Sequence, residues 1–277
     1  MKLFTKIIVF LLPLFCLIWV IMYFSNQNET EKFPSHGIYF IGSSRVQRGI
    51  DHQLLNKKNK GDKAYNLGIS GATFIHNITL AEHLILHCNA KKLFIELSPI
   101  IYSFHPVHES LNVNRSKIMK IYNLDYIEFY LFSKLNLRSS LKKIVTPSNN
   151  ISKEYGYVFG NQNNYHKTKS FLKIEDLEKN WNSDVSKYFD IISNFNKIAL
   201  KHNTKIYFFL PLTFRKEKER EIVSTIYQLL PNNQKVIYTE HFINSIHDPD
   251  YLFDENHFNY KGAKIMTSYF KEMYFTD

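Results

Sequence analysis

From residue 37 onward, short runs of β-branched and aromatic residues alternate with longer stretches whose apolar positions recur every three or four residues. The first pattern is that of strands and the second that of amphipathic helices. Strands are expected at 38–41, 64–67, 93–97, 205–210 and 236–238. Leu93-Phe94-Ile95 and Ile206-Tyr207-Phe208-Phe209-Leu210 are continuously apolar, as in strands covered on both faces of a parallel sheet. Between the second and third strands, Phe74, Ile75, Ile78, Ala81, Leu84 and Ile85 share one face of a crossover helix. Phe189, Ile192, Phe195 and Ala199 repeat that pattern before the fourth strand, and Ala263, Ile265, Met266 and Phe270 place a last helix at the end. The alternation predicts an α/β domain, three layers deep, with a mainly parallel sheet. Residues 102–180, rich in Asn, Lys, Ser and Tyr, interrupt it; periodic pieces such as 118–137 read as helices of an insertion over the open end of the sheet.

The first 36 residues follow another logic. Residues 7–24 carry no charge and are about long enough to cross a bilayer as a helix. Lys2 and Lys6 precede the run and a polar, acidic stretch follows it, so the positive-inside rule puts the N-terminus in the cytoplasm and the bulk of the chain outside. A cleaved signal peptide is the competing reading, but Phe24-Ser25-Asn26 lacks the small-x-small cleavage pattern. Cys16 behind Phe15 also argues against a lipoprotein processing site. The expected organisation is a cytoplasmic tip and transmembrane anchor over 1–24, a stalk over 25–36, and an extracytoplasmic domain over 37–277, in a periplasm or at a cell surface.

At 277 residues the chain is long enough for one sizeable core. Setting aside Lys2 and Lys6 leaves 33 basic against 25 acidic residues, a formal charge of +8 on the outer part. Such a balance favours anionic neighbours, and an outward-facing domain points to lipid headgroups or an acidic polysaccharide rather than nucleic acid. The two cysteines, Cys16 and Cys88, predict no disulfide framework, and Cys88 lies in an apolar-periodic stretch as a packed thiol. His105, His108, His241 and His247 match no compact ligand spacing, so neither a metal nor another cofactor is expected.

Ligands of open α/β sheets bind beyond the carboxyl ends of the strands. Three motifs fall there. The first strand runs into Gly42-Ser43-Ser44-Arg45; the second into Asn66-Leu67-Gly68-Ile69-Ser70-Gly71-Ala72-Thr73, which opens a helix; and Asp254-Glu255-Asn256-His257 precedes the last helix. A serine hydroxyl needs a histidine to take its proton and a carboxylate to orient that histidine, so Ser44, His257 and Asp254 form a candidate catalytic set. Free backbone N–H groups at the second motif suit a developing oxyanion. Arg45 and Arg48 follow the serine turn, where an anionic acceptor would meet them.

Taken together, the blocks resemble the SGNH, or GDSL-like, hydrolase superfamily, whose fold is flavodoxin-like. The resemblance implies Ser44 as nucleophile, Asp254 and His257 as its partners, and the backbone N–H of Gly71 as an oxyanion donor; the Ser44 N–H is expected to join it, and Arg45, from its place after the turn, to bind substrate. In that family a Gly-x-Asn-Asp block follows the third strand, whereas here the strand ends Glu96-Leu97-Ser98-Pro99-Ile100, with no Asn to act as third donor. The Ser-Pro variant, the Gly-Ser-Ser-Arg turn and the single anchor are more similar to envelope proteins that accompany membrane-bound O-acyltransferases. The expectation is therefore an extracytoplasmic serine-dependent O-acyltransferase or esterase acting on a cell-surface polysaccharide, with a membrane-bound O-acyltransferase as a partner. Two alternatives stand beside it: a non-catalytic scaffold that binds glycan or docks such a partner, and an esterase acting on lipid near the membrane surface.

Overall fold

A computed structural model of the chain describes residues 33–57, 61–99, 156–160, 171–214 and 216–275, and Pro13 in isolation. These, apart from Pro13, belong to one compact unit made of Phe33–Ser103 and Ser152–Asp277. Apart from Pro13, the expected anchor over 7–24 lies outside the described residues, as do the stalk up to residue 32 and most of the expected insertion over 102–180. No described helix is long and apolar enough to cross a membrane.

The described residues form an α/β fold around four parallel strands: β1 (Ile38–Gly42), β2 (Ala64–Gly68), β3 (Lys92–Glu96) and β4 (Lys205–Phe209). Their order across the sheet is β2-β1-β3-β4. Ile38 pairs with Ala64 on one side and Lys92 on the other, and Lys92 in turn with Lys205, so all four carboxyl ends come out at one edge. Between β1 and β3 the order reverses direction, which is where open parallel sheets leave a crevice for ligands.

Helices α1 (Ser44–Gly49) and α2 (His52–Asn56) follow β1, α3 (Phe74–Cys88) links β2 to β3, and α4 (Ile174–Glu178) and α5 (Ser186–Lys201) precede β4. After β4 come α6 (Glu217–Leu229), α7 (Glu240–Ser245) and α8 (Tyr260–Tyr274). Successive strand residues face opposite sides of a sheet, and β4 illustrates what covers each. Phe208 meets Phe74 of α3, which in turn contacts Tyr188 of α5. Phe209 meets Phe270 of α8, whose ring also stands edge-on to Phe40 of β1 and Phe94 of β3. Phe40, Phe94, Phe208, Phe209 and Phe270 are fully buried, and each such ring contributes about 2–3 kcal/mol on leaving water. The core therefore lies on both faces of the sheet.

The four strands fall within a residue or two of the expected positions, and the helices expected around Phe74, Phe189 and Ala263 are α3, α5 and α8. The expected fifth strand at 236–238 is not one. A single parallel bridge joins Phe208 to Lys235, and Val236 N–H reaches the Phe208 carbonyl at 2.9 Å. The ladder stops there, where tyrosine hydroxyls engage the two carbonyls of its next rungs: Tyr227 donates to Val236 O at 2.7 Å and Tyr238 to Leu210 O at 2.8 Å. Cys88 is buried at the end of α3, and burial raises its thiol pKa.

Candidate active site

β1 delivers the chain to the carboxyl edge at Gly42, and Ser43 caps the short helix α1 by accepting the N–H of Arg45 on its hydroxyl. Ser44 is thereby the first residue of α1, half-buried at the edge of the sheet. Its turn is packed tightly against the next strand. A Cβ on Gly68 of β2 would lie 2.3 Å from Gln47 N and 2.9 Å from Ser43 O, so only glycine lets the two chains approach this closely.

Asp254 and His257 sit on a loop closed like a clasp. Leu252 bridges to Phe258 in antiparallel fashion, and Phe253 N–H donates to His257 O at 2.8 Å. Asn259 finishes the clasp: it caps α8 through Lys261 N–H at 2.9 Å and donates its side-chain amide to Asp250 O and Leu252 O. Within the loop, both Asp254 carboxylate oxygens lie 2.8 Å from His257 Nδ1. His257 Nε2 lies 2.6 Å from Ser44 Oγ. A carboxylate only accepts, so in the neutral ring the proton resides on Nδ1, and Nε2 presents its lone pair to the serine hydroxyl. The three residues predicted from the sequence are brought together in the order needed for proton transfer.

Burial pushes the Asp254 pKa upward, but the hydrogen bonds from His257 and from Asn256 N–H, at 2.8 Å, outweigh it and hold the carboxyl below its usual range. The loop thus keeps a negative charge behind the imidazole.

Gly71 lies three residues beyond Gly68, which pairs with Gly42, so its turn emerges beside the serine turn. Ala72 N–H closes on Ile69 O at 3.0 Å with Gly71 at φ +78°, the third position of a type II turn, where a positive φ favours glycine. Among the described residues, neither the Ser44 nor the Gly71 N–H is engaged in a hydrogen bond.

Arg45 is not at the mouth of the site as expected. Helical side chains diverge by about 100° per residue, so with Ser44 turned to His257 the next residue faces inward. Arg45 is 9% exposed; its Nε lies 2.7 Å from Glu96 Oε1, and its Nη1 lies 2.7 Å from Glu219 Oε1 and 3.0 Å from the Thr213 carbonyl. Of the two arginines, Arg48 lies beside the catalytic loop, its guanidinium 4.5 Å from the centre of the Phe253 ring.

Glu96 is the residue that sequence reasoning passed over. Fully buried, it accepts Ser43 N–H at 2.5 Å and Ser43 Oγ–H at 3.0 Å in addition to Arg45. The signal was present: a carboxylate ending the apolar run Leu93-Phe94-Ile95, in a strand covered on both faces, requires a partner. The Ser98-Pro99 segment serves α3 instead of the site. Pro99 O accepts Phe74 N–H at 3.1 Å, and Asn77 donates to Glu96 O and Ser98 Oγ.

Comparison with protein-family models, with curated proteins and with solved structures finds no match to this chain.

Proposed function

We propose that the chain is an SGNH-like, serine-dependent O-acyltransferase or esterase acting on a cell-surface polysaccharide, held at the membrane by residues 7–24 with its catalytic domain outside. The observation that carries the reading is the continuous relay from Asp254 through His257 to Ser44, at 2.8 and 2.6 Å. A binding scaffold has no use for a hydroxyl aimed at a carboxylate-backed imidazole. For this reason the relay favours catalysis over the scaffold alternative.

In this reading Ser44 Oγ attacks an acyl carbonyl while His257 Nε2 takes its proton. The N–H groups of Ser44 and Gly71 receive the oxyanion. Collapse of the tetrahedral intermediate expels the alcohol, which leaves with the proton returned by His257, and the acyl group stays on Ser44 as an ester. A second hydroxyl, from sugar or water, then gives its proton to His257, attacks the ester and frees Ser44. Sugar as acceptor makes the protein a transferase, and water makes it an esterase. The formal charge of +8 beyond Lys6 suits an anionic glycan, and the single anchor suits delivery of acyl groups by a membrane-bound O-acyltransferase partner.

The test is labelling of the detergent-solubilised full chain with a fluorophosphonate. The wild type is expected to label, and Ser44→Ala and His257→Ala are expected to lose labelling by about a thousandfold or more. Equal labelling of Ser44→Ala and wild type overturns the assignment. Acyl transfer from p-nitrophenyl acetate, with and without an oligosaccharide acceptor, separates transferase from esterase.

A further inference from the structure

Ser44 and His257 stand 213 residues apart in the chain and are carried by separate elements, yet their side chains meet at 2.6 Å. A separation that short between the start of a helix and a distant loop needs something that fixes both. A line of hydrogen bonds, carried across Thr213 by its carbonyl and its hydroxyl, runs beneath the site from the neighbours of Ser44 to the residue before His257. It begins at Ser43, whose N–H and hydroxyl both rest on the Glu96 carboxylate. The same carboxylate holds Arg45 Nε, so both neighbours of Ser44 are tied to a single buried group. Arg45 Nη1 then reaches the Thr213 carbonyl at 3.0 Å, and Thr213 Oγ1 donates to Asn256 O at 2.7 Å. Asn256 precedes His257, and its N–H binds Asp254 Oδ1.

Thr213 consequently faces both ways: its carbonyl takes the arginine that follows the serine, and its hydroxyl takes the loop that carries the histidine. It is 2% exposed, and Arg45 9%, so water competes little for either bond. Glu219 braces the far end of Arg45 at 2.7 Å. Breaking a buried charged pair by removing one partner is strongly destabilising, so Glu96 and Glu219 together hold Arg45 in place.

We propose that Thr213 and Arg45, with Glu96, are positioning residues that set the distance between Ser44 and His257. The proposal rests on the reading of Ser44 as the nucleophile, and it assigns a role to the arginine that the turn sequence offers as a substrate contact. None of the three touches a reacting atom; they act through the two that do. Misplacing reacting groups by about 1 Å costs on the order of a hundredfold in rate.

Thr213→Val keeps the shape and the backbone carbonyl and deletes only the bond to Asn256. In the full chain it is expected to lower the fluorophosphonate labelling rate and kcat for p-nitrophenyl acetate by roughly tenfold to a hundredfold with KM unchanged. Thr213→Ser, which restores a hydroxyl, is expected to recover most of the loss. Arg45→Lys keeps the charge but loses the fork that spans Glu96 and Thr213, and it is expected to show the same split between kcat and KM. A crystal structure of Thr213→Val is expected to show Ser44 Oγ and His257 Nε2 beyond hydrogen-bond distance. An unchanged separation, or a rate loss that follows the unfolded fraction and is not recovered by Thr213→Ser, overturns the proposal. A wild type that does not label at all defeats the catalytic reading instead, and the measured separations still decide whether Thr213 positions the pair. Should Thr213→Val fail to fold, Arg45→Lys carries the same two measurements.

Discussion

Asn66 donates its side-chain amide to Val46 O at 2.9 Å and to Ile50 O at 2.6 Å, so β2 holds the far end of the helix that begins at Ser44. The other half of the same side chain accepts Gly68 N–H at 2.9 Å. One buried amide thus adds a second bond to Val46 O, which already accepts the Ile50 N–H, and supplies the partner of Ile50 O beyond the helix end and of Gly68 N–H at the strand end.

Asn66→Leu, close in size and apolar, leaves Ile50 O and Gly68 N–H without partners, while Val46 O keeps the Ile50 N–H. At about 1–3 kcal/mol for each buried unsatisfied group, it is expected to cost about 2 kcal/mol or more. Chemical denaturation followed by circular dichroism measures it. A loss under 1 kcal/mol would mean that water replaces the amide and that α1 is not anchored here.

Gly68→Ala places a methyl group against backbone rather than against a side chain that could turn away. With Gln47 N only 2.3 Å from the new carbon, α1 must shift, and overpacking of this kind costs typically about 1–3 kcal/mol. Since α1 carries Ser44, the expected signature is a joint fall in melting temperature and in fluorophosphonate labelling. Lost stability with unchanged labelling would show that the serine turn moves independently of β2.

The strands were legible because a parallel sheet covered on both faces writes itself as short apolar runs, such as Leu93-Phe94-Ile95. Helices α3, α5 and α8 were legible from one apolar face each. By contrast, α6 was not, because it opens on Glu217-Lys218-Glu219-Arg220-Glu221, and its buried side includes Glu219, a carboxylate that packs only because Arg45 meets it. The same cause hid Glu96 and Thr213. Periodicity and strand ends locate Ser44, Asp254 and His257, but which polar side chain crosses the interior to which partner depends on tertiary approach, and a linear pattern does not carry it. The Arg45 expectation failed for a local reason, the inward turn of the second residue of a helix. Residues 236–238 read as a strand because Val236, Ile237 and Tyr238 have strand propensity, yet the hydroxyls of Tyr227 and Tyr238 occupy Val236 O and Leu210 O, where the next rungs would form.

Gly71→Ala tests the second oxyanion donor. At φ +78° an alanine strains the turn by about 1 kcal/mol, so a modest loss of stability is expected in any case. If the turn relaxes toward negative φ, its N–H swings away from the serine, and the labelling rate is expected to fall by about a hundredfold, the scale of losing one oxyanion donor. An unchanged rate in a variant whose crystal structure shows the residue 71 N–H turned away from the serine removes Gly71 from the oxyanion hole.

Asp254 supplies the sign of a pH effect. Its pKa in the folded protein is lowered below the ordinary value of 3.8, so folding favours the charged form. The stability this contributes is present in full above the unfolded value and is lost as pH falls through the folded one. Asp254→Asn removes the charge at every pH. Wild type is therefore expected to be more stable than Asp254→Asn at neutral pH, with the two converging below about pH 4 as the carboxylate of the wild type is protonated. The difference is expected to be small, since the Asp254 side chain is 42% exposed and solvent screens its pairing with His257. Its effect on rate is not screened in the same way. With an amide in place of the carboxylate, His257 Nδ1 can accept a hydrogen bond and the ring can turn its proton toward Ser44, where it cannot serve as base. Labelling is expected to fall by on the order of a hundredfold at pH 7 with little change in melting temperature. A stability gap that widens in acid, or labelling that survives Asp254→Asn, contradicts the role of Asp254 as the group that orients the histidine.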